Sequence, residues 1–308
     1  MKKYTLVKTA ALTALSYSAL VAVTKMTSKQ SIRTIKPFFS QRSPYIFAHR
    51  GGLGLAPEHT MAAFKQSKEL GVDGFEIDIR ISKDNEIIVF HDALVDRVSN
   101  GSGLISAHTL KELKQLDLGF HYKDINGTYP YRGHQDAKVV TLQELLEKFP
   151  DMRINIDIKD APHSKEGRIA PSLLYQMIIS NNAQDRVCVT SFYDEQTARF
   201  NTLAHDKIAI GAGQKEVTRA YSAYQLGLKH TYVPTVDTFQ IPTQAKGINL
   251  TRESFITFLQ SLNIAVGYWV INSIDEMDTL IQRGAHTIVT DRPDLAMHLV
   301  NARYKNSI

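Results

Sequence analysis

Two acidic residues, Glu76 and Asp78, stand two positions apart in a segment where polar and apolar residues alternate. The alternation runs through Phe75–Ile81 and is the period-2 pattern of a β-strand. Side chains two positions apart share one face of a strand and lie about 6.5 Å apart, so both carboxylates can point at a common site. A solvent-facing strand would show the same pattern. The other interpretation is a site for a hard divalent cation, which binds oxygen ligands.

Two apolar runs near this strand each end in a histidine. Residues 46–48 precede His49 and Arg50, and Ile87–Phe90 precedes His91. Because α/β barrels build their active sites at the carboxyl ends of strands, these histidines are expected near the paired acids. Imidazole has an ordinary pKa of about 6.5 and exchanges protons at neutral pH. The combination favours an acid–base site beside a cation over a solvent-facing strand.

These motifs resemble the signature of the glycerophosphodiester phosphodiesterase family, which reads H-R-G, P-E-N-T, E-x-D and H-D. The chain carries them in the same order, as His49–Gly51, Pro57–Thr60, Glu76–Asp78 and His91–Asp92. His59 stands where the family usually has Asn. The resemblance extends over about residues 45–300, because four later strand ends also match: Asp157–Lys159, Ser191–Phe192, Trp269–Asn272 and Asp291–Pro293.

The order of elements predicts an α/β fold, a (β/α)₈ TIM barrel, as the resemblance also implies. Strand patterns centre near residues 46, 76, 155, 188, 209, 232, 267 and 288, with Ile87–Phe90 as an extra strand. We expect the catalytic barrel at 45–303, with a small insertion after the second strand at about 93–138. Aromatic residues of the insertion either contact an alcohol or lipid group or, as we favour, pack the insertion itself: Phe120, Tyr122, Tyr129 and Tyr131.

The resemblance implies the residues of the metal site and of proton transfer. Glu76, Asp78 and Asp157 would hold one divalent metal, Ca²⁺ or Mg²⁺, and Asp157 replaces the Glu that the family usually has there. His49 and His91 would serve as general acid and general base. The sequence leaves open which histidine has which role.

The resemblance also implies four substrate-binding residues. Arg50 and Lys159 would neutralise the phosphoryl oxygens, Arg50 with a planar fork and Lys159 as a point charge. Phe192 and Trp269 would line the pocket for the glycerol or alcohol group. The alternatives are a structural ion pair between Asp157 and Lys159, and simple core packing for Trp269.

The implied reaction is metal-dependent hydrolysis of glycerophosphodiesters to glycerol 3-phosphate and an alcohol. In the family, the glycerol 2-hydroxyl is thought to attack phosphorus first, and water then opens a cyclic phosphate. One alternative is lysophospholipase D activity on lysophospholipids at a membrane. A remote alternative is an inactive barrel that binds phospholipid, which would predict lost catalytic residues, whereas each matched position holds a competent residue.

The charge of the chain is unevenly distributed. Residues 1–57 contain nine basic residues and no acid, so the net charge of +5 leaves −4 for residues 58–308. A mildly acidic body argues against nucleic acid as a partner. The basic excess indicates a membrane surface. The single Cys188 excludes a disulfide framework, and nothing in the sequence indicates an oligomeric state.

The N-terminal segment, residues 1–44, is expected outside the barrel. Its stretch Ala10–Val23 is free of charged residues; it is shorter than the roughly 20 residues of a membrane span and matches a signal-peptide core of about 7–15. Basic residues follow it, and they resist translocation. The chain is therefore expected to be membrane-associated through an N-terminal anchor, exported after signal cleavage, or attached through an interfacial basic helix.

Overall fold

The computed structural model describes residues 16, 18–19, 21–28 and 31–305. Eight of its strands form a parallel barrel in the order β7-β6-β5-β2-β1-β12-β11-β8. The strands of the described chain are β1 (Tyr45–His49), β2 (Gly74–Ile81), β3 (Ile87–Val89), β4 (Val140–Thr141), β5 (Arg153–Ile158), β6 (Val187–Thr190), β7 (Ala209–Ile210), β8 (Thr238–Ile241), β9 (Gln244–Ala245), β10 (Ile248–Asn249), β11 (Ala265–Tyr268) and β12 (Thr287–Thr290).

The barrel is closed between its first and last strands in the sheet order. A parallel bridge joins Gly211, just after β7, to Thr238 at the start of β8. The Ala212 N–H donates to the Thr238 carbonyl at 2.9 Å. The predicted (β/α)₈ barrel is confirmed.

Helices surround the barrel and follow most of its strands. Outward-facing apolar side chains of the strands and the inner faces of these helices make one continuous core. The helices of the described chain are α1 (Met61–Glu69), α2 (Leu110–Leu113), α3 (Leu142–Lys148), α4 (Lys165–Ser180), α5 (Asp194–Ala204), α6 (Gln214–Gln225), α7 (Glu253–Gln260), α8 (Ile274–Gln282) and α9 (Pro293–Val300).

One predicted strand was placed wrongly. The stretch near residue 232 was expected to be a barrel strand, but it contains the short 3₁₀ helix Lys229–Thr231, and the strand is β8, Thr238–Ile241. Pro234 has no N–H to donate to a neighbouring strand, which disfavours a central strand there. The apolar run that suggested a strand instead belongs to the connection from α6 to β8.

The insertion after β3 has a small core of its own. Seven buried apolar residues form it, separate from the main core: Ile88, Phe90, Val95, Ile105, Leu113, Leu118 and Val139. The rings of Tyr122 and Tyr131 pack edge to face at 5.4 Å. The Arg132 guanidinium lies over the rings of Phe120 and Tyr129. These contacts support the interpretation that the aromatic residues pack the insertion.

The apolar stretch Ala10–Val23 lies largely outside the described residues. Residues 21–27 are helical. Within the described part of the chain, every helix is too short or too polar to cross a bilayer.

Candidate active site

Strand register brings the predicted acids and one histidine together inside the barrel. His49 lies beside Glu76 in the pairing of β1 with β2, and Asp78 lies beside Asp157 in the pairing of β2 with β5. The His49 Nε2 and Glu76 Oε2 atoms are 3.8 Å apart. Glu76 is 8% exposed and Asp78 1% exposed, so the strand does not face solvent. The polar face of β2 points into the barrel, toward the end at which the parallel strands finish.

Lys159 and Arg50 supply positive charge to these carboxylates. The Lys159 ammonium lies between two aspartates, 2.9 Å from Asp78 Oδ1 and 2.5 Å from Asp157 Oδ2. The Arg50 Nε atom is 3.4 Å from Asp78 Oδ2, and the Arg50 backbone N–H donates to Glu76 Oε2 at 3.4 Å. Three carboxylates therefore share two cations in a buried space.

Burial and mutual repulsion set the ionisation of the three acids. Burial, with the Asp78 charge added to it, raises the pKa values of Glu76 and Asp157. Burial also acts on Asp78, but the charges of Lys159 and Arg50 lower its pKa below the ordinary value. Asp78 is thus the carboxylate that these neighbours hold most firmly in its charged form.

A carboxylate orients the ring of His49. Nδ1 of His49 lies 2.6 Å from Asp291 Oδ1, and Asp291 Oδ2 accepts a hydrogen bond from the Asn272 amide at 2.8 Å. A carboxylate only accepts, so Nδ1 carries the hydrogen and Nε2 faces Glu76 and the site. Burial alone would lower the pKa of His49, but the hydrogen bond to Asp291 and the charges of Glu76 and Asp291 raise it overall.

His91 has the same kind of support from the residue that follows it. Its Nδ1 atom lies 2.6 Å from Asp92 Oδ1, which leaves Nε2 available for proton exchange. The N–H of Phe90 donates to the carbonyl of Asp78 at 2.9 Å, which places His91 next to the acids. Burial lowers the pKa of His91 more than the Asp78 charge and the Asp92 hydrogen bond raise it.

Arg97, from the insertion, connects both sides of the site. Its Nε donates to Asp92 Oδ2 at 2.5 Å, and its two terminal nitrogens donate to the Glu58 carboxylate at 2.8 and 2.9 Å. Glu58 also accepts from Arg50 Nη1 at 2.9 Å. Arg97 thereby links the carboxylate behind His91 to the carboxylate that holds Arg50.

The predicted pocket residues lie at the rim of the same site. The Lys159 ammonium is 5.4 Å from the centre of the Phe192 ring, and the rings of Phe192 and Trp269 pack at 6.0 Å. Trp269 is anchored by a hydrogen bond from its Nε1 to the Gln240 carbonyl at 2.8 Å. Phe192 is 56% exposed, so it contributes an apolar wall that is open to solvent. All nine predicted residues therefore lie at the same end of the barrel.

His59 has a backbone conformation that His and Asn both adopt more often than most residues do. Its φ of 58° lies in the left-handed region, where Asn is better tolerated than most residues. The ring is buried, and its Nε2 accepts the backbone N–H of Asp78 at 3.2 Å. Burial is the main reason that its pKa falls to about 3. His59 is thus a neutral ring that fixes the main chain beside Asp78.

The donor set at this site fits a hard cation, although its arrangement does not form a metal centre. Across the described ranges, no three His, Cys, Asp or Glu side chains are arranged to hold a metal; the Lys159 ammonium lies between two of the acids. Asp78 Oδ2 and Asp157 Oδ1 are buried oxygens without a hydrogen-bond partner. Oxygen atoms of this kind are the ligands that Ca²⁺ and Mg²⁺ prefer.

Several supporting residues were quoted in motifs but given no role from the sequence: Glu58, Asp92, Asn272 and Asp291. Arg97 was missed altogether. Asp92 and Asp291 had a readable signal, since each belongs to a matched motif at the carboxyl end of a strand. Arg97 had none, because its partners are distant in sequence and its side chain reaches them from the insertion.

A TIM barrel with an acid–base site at the carboxyl ends of its strands is the architecture of an α/β-barrel enzyme. A model of the glycerophosphoryl diester phosphodiesterase family matches residues 49–295. The chain belongs to this family and is a phosphoric diester hydrolase.

Known proteins that are similar to this chain over most of its length agree with this assignment. The glycerophosphodiester phosphodiesterase of Caldanaerobacter subterraneus subsp. tengcongensis is 29% identical over 258 residues, which is 83% of this chain and 97% of that protein. The glycerophosphodiester phosphodiesterase of Bacillus subtilis is 26% identical over 265 residues, 83% of this chain and 86% of that protein.

Solved structures show the same barrel. A phosphodiesterase from Oleispira antarctica, solved with the product sn-glycerol-3-phosphate, has a TM-score of 0.67 and 25% identity and covers 84% of this chain and 97% of its own. The glycerophosphoryl diester phosphodiesterase domain of a Mycobacterium tuberculosis protein has a TM-score of 0.71 and 19% identity. Its match covers 83% of this chain and 99% of that domain's chain. The latter likeness is evidence for the fold.

Proposed function

We propose that the protein hydrolyses glycerophosphodiesters to glycerol 3-phosphate and an alcohol with the help of a divalent cation. The observation that carries the proposal is the pair of imidazoles, His49 and His91, each backed at Nδ1 by its own carboxylate at 2.6 Å. Both border one cluster of buried acids and cations. The names of the relatives support the reaction, and the product bound to the Oleispira antarctica protein supports glycerol 3-phosphate as a product.

Proton transfer is the work of the two histidines in this proposal. The oxygen of the glycerol 2-hydroxyl bonds to phosphorus while one imidazole accepts the proton of that hydroxyl. The other imidazole donates a proton to the departing alcohol oxygen. Water then opens the cyclic phosphate, and the two imidazoles exchange roles. Arg50 and Lys159 bind the phosphoryl oxygens throughout, because they are the permanent cations beside the two imidazoles and the acids.

Charge balance supports a divalent cation as the cofactor. A phosphodiester adds a negative charge to a site where three carboxylates, Glu76, Asp78 and Asp157, are paired with two permanent cations, Arg50 and Lys159. Glu76, Asp78 and Asp157 would hold the ion, with Lys159 turning toward the substrate. When bound, Ca²⁺ or Mg²⁺ supplies Lewis acidity and a template for the phosphoryl and hydroxyl oxygens.

Lysophospholipase D activity is the second candidate. The observation in its favour is the apolar rim, where Phe192 is 56% exposed and Tyr193 is 44% exposed, enough to contact the start of an acyl chain. Membrane association through the N-terminal segment belongs with this candidate, but it is equally compatible with a soluble substrate. An inactive phospholipid-binding barrel is disfavoured, because each matched catalytic position holds a competent side chain.

One product analysis tests the reaction. The full chain is incubated with glycerophosphocholine and with a lysophosphatidylcholine, with and without Ca²⁺ or Mg²⁺, and the products are quantified by mass spectrometry. We expect glycerol 3-phosphate and choline in equal amounts from the first substrate. Release of phosphocholine and glycerol would instead show cleavage of the other ester bond and contradict the proposed reaction.

A further inference from the structure

We propose that the N-terminal segment attaches the base of the barrel to an anionic membrane surface, so that the active-site mouth opens toward water. The base is the end at which the strands begin, and the mouth is the end that holds His49 and the acids. The inference rests on the proposed function and narrows it, because this orientation selects water-soluble glycerophosphodiesters over lipids of the same membrane.

The path of the N-terminal segment is fixed by contacts at the base. The Arg33 N–H donates to the carbonyl of Leu262, and Asn263 donates its amide to the Arg33 carbonyl at 2.8 Å. Both residues lie in the turn that precedes β11. The Arg33 guanidinium binds Asp237, which directly precedes β8, at 2.8 Å, and Asp206, which precedes β7, at 2.5 Å. The segment therefore runs below three consecutive strand starts.

The same segment then seals the base. The short 3₁₀ helix Pro37–Phe39 lies there, and Phe38 is 1% exposed in a cluster with Phe47 and Cys188. Arg153, the first residue of β5, donates its Nε to the Phe38 carbonyl at 3.0 Å. Since these side chains fill the lower barrel, a substrate cannot reach the site from below.

The helical residues 21–27 are held at the same end. Thr24 Oγ1 lies 2.8 Å from the Nε2 atom of His230, and His230 belongs to the connection from α6 to β8, also at the base. The apolar stretch Ala10–Val23 leads directly into this helical segment. The helical residues 21–27 are therefore held below the barrel.

The surface around this attachment suits an anionic bilayer. Its exposed apolar side chains are concentrated in the N-terminal segment: Val23 59%, Met26 88%, Ile32 59% and Ile35 58%. Lys25 and Arg42 of the segment and Lys207 beside β7 are exposed cations at the same end, where the exposed acids are Asp151, Asp185 and Asp206. Basic residues near a membrane surface are attracted by anionic lipids. Apolar side chains and cations on one face match the interfacial region of such a bilayer.

The distance between base and mouth decides the substrate class. The strand β1, Tyr45–His49, alone spans roughly 13 Å at about 3.3 Å per residue, and the rim residue Phe192 lies beyond the upper end of β6. A lysolipid in the same bilayer would have to leave it and travel around the barrel. A water-soluble diester enters the upward-facing mouth directly.

Two matched labels test the orientation. Single cysteines for labelling are introduced by Ser261→Cys and Ser273→Cys. Position 261 lies at the base and position 273 at the mouth, beyond opposite ends of β11, and both positions are exposed. Cys188 is buried and burial raises the pKa of its thiol, so it is not expected to react. Each full-chain variant carries an environment-sensitive fluorophore and is bound to vesicles of neutral and anionic phospholipid containing a headgroup spin label.

We expect the spin label to remove most of the emission at position 261 and little at position 273. Equal quenching, or stronger quenching at position 273, would overturn the orientation. A lack of binding to these vesicles would overturn the membrane attachment. Vesicles without anionic lipid are the control, and binding is expected to weaken there.

Turnover provides the second readout. Vesicle-bound protein should hydrolyse soluble glycerophosphocholine as fast as protein in solution does, and should leave lysophosphatidylcholine of its own vesicles intact. Faster cleavage of that lysolipid than of the soluble diester would overturn the substrate class. If neither compound is cleaved, the proposed function fails, while the quenching experiment still decides the orientation.

Discussion

At the level of single residues, the carboxylates behind the two histidines determine which ring nitrogen carries the hydrogen. Asp291 and Asp92 each fix Nδ1 as the donor, which leaves Nε2 of either ring as the nitrogen available for proton exchange. We expect His49→Ala and His91→Ala each to lower kcat at least ~10²-fold, the low end for general acid–base groups. Steady-state assays on glycerophosphocholine measure this. Near-full turnover of either variant would remove that histidine from the mechanism.

Arg97 is expected to act through the groups that it orients. Arg97→Gln removes the hydrogen bonds to Asp92 and Glu58, and the loss should lower kcat by about 10- to 100-fold, as for other residues that orient site groups. Arg97→Lys should restore only part of this, because an ammonium cannot bridge both carboxylates with a planar fork. If Arg97 only stabilised the fold, kcat of the folded variant would be unchanged. Arg199→Gln, a surface pair with Glu195, is the control.

The buried carboxylate of Glu58 should make the stability of the folded protein depend on pH. Burial would raise its pKa, but Arg97, His59 and Arg50 lower it to about 2. A carboxylate whose pKa is lower in the folded protein stabilises it above the unfolded value and loses that contribution as the pH falls through the folded value. Glu58→Gln should therefore cost stability near pH 7, and the cost should shrink between about pH 4.5 and pH 2. Denaturant unfolding across this range, with Glu253→Gln as a surface control, tests it; a pH-independent difference would contradict it.

The residues proposed to hold the ion and to exchange protons were readable from the sequence, and the residues that support them were less so. Glu76, Asp78 and the histidines follow a period-2 strand pattern or end an apolar run, and the barrel's geometry turns such patterns into convergence. The link from Arg97 to Glu58 depends on how the insertion folds back, and local pattern carries no information about that. The position of Lys159 between Asp78 and Asp157 likewise depends on a rotamer rather than on spacing.

At the level of elements, caps and apolar faces are the signals by which a sequence shows its helices. Thr60 caps helix α1, and its hydroxyl accepts the Ala63 N–H. Helix α6 places Val217, Tyr221 and Tyr224 at helical spacing against the core. The misplaced strand near residue 232 has a different cause, an apolar run that lies outside any strand.

The start of α3 offers a test of such a cap. Thr141 and Glu144 form a reciprocal capping box, and Thr141 is also the last residue of β4. Thr141→Ala should lower the free energy of unfolding by ~1 kcal/mol, the usual cost of losing an N-cap. Thr218→Ala, within the exposed face of α6, is the control and should change stability much less. Equal effects in denaturant unfolding would show that the cap contributes little.

At the level of the whole molecule, the barrel separates attachment from chemistry. The lower layers, with Phe38 and Cys188, are packed with apolar side chains, and the buried acids lie above them, toward the carboxyl ends of the strands. A rigid apolar base lets three carboxylates stay buried above it, since moving them into solvent would require opening the barrel. Lys159 and Arg50 relieve part of their repulsion, and any further cation must enter from the mouth.

This arrangement predicts how the protein responds to a divalent ion. Chelator-treated protein should lose activity on glycerophosphocholine and regain it with Ca²⁺ or Mg²⁺. The ion should also raise the melting temperature, because a ligand at 100 times its Kd stabilises the folded state by about 2.7 kcal/mol. Asp157→Asn removes one carboxylate and should weaken that thermal shift, whereas Asp151→Asn, at the exposed ion pair with Lys68, should leave it unchanged. Full activity in excess chelator, with no thermal shift on adding either ion, would show that Lys159 and Arg50 alone balance the buried acids.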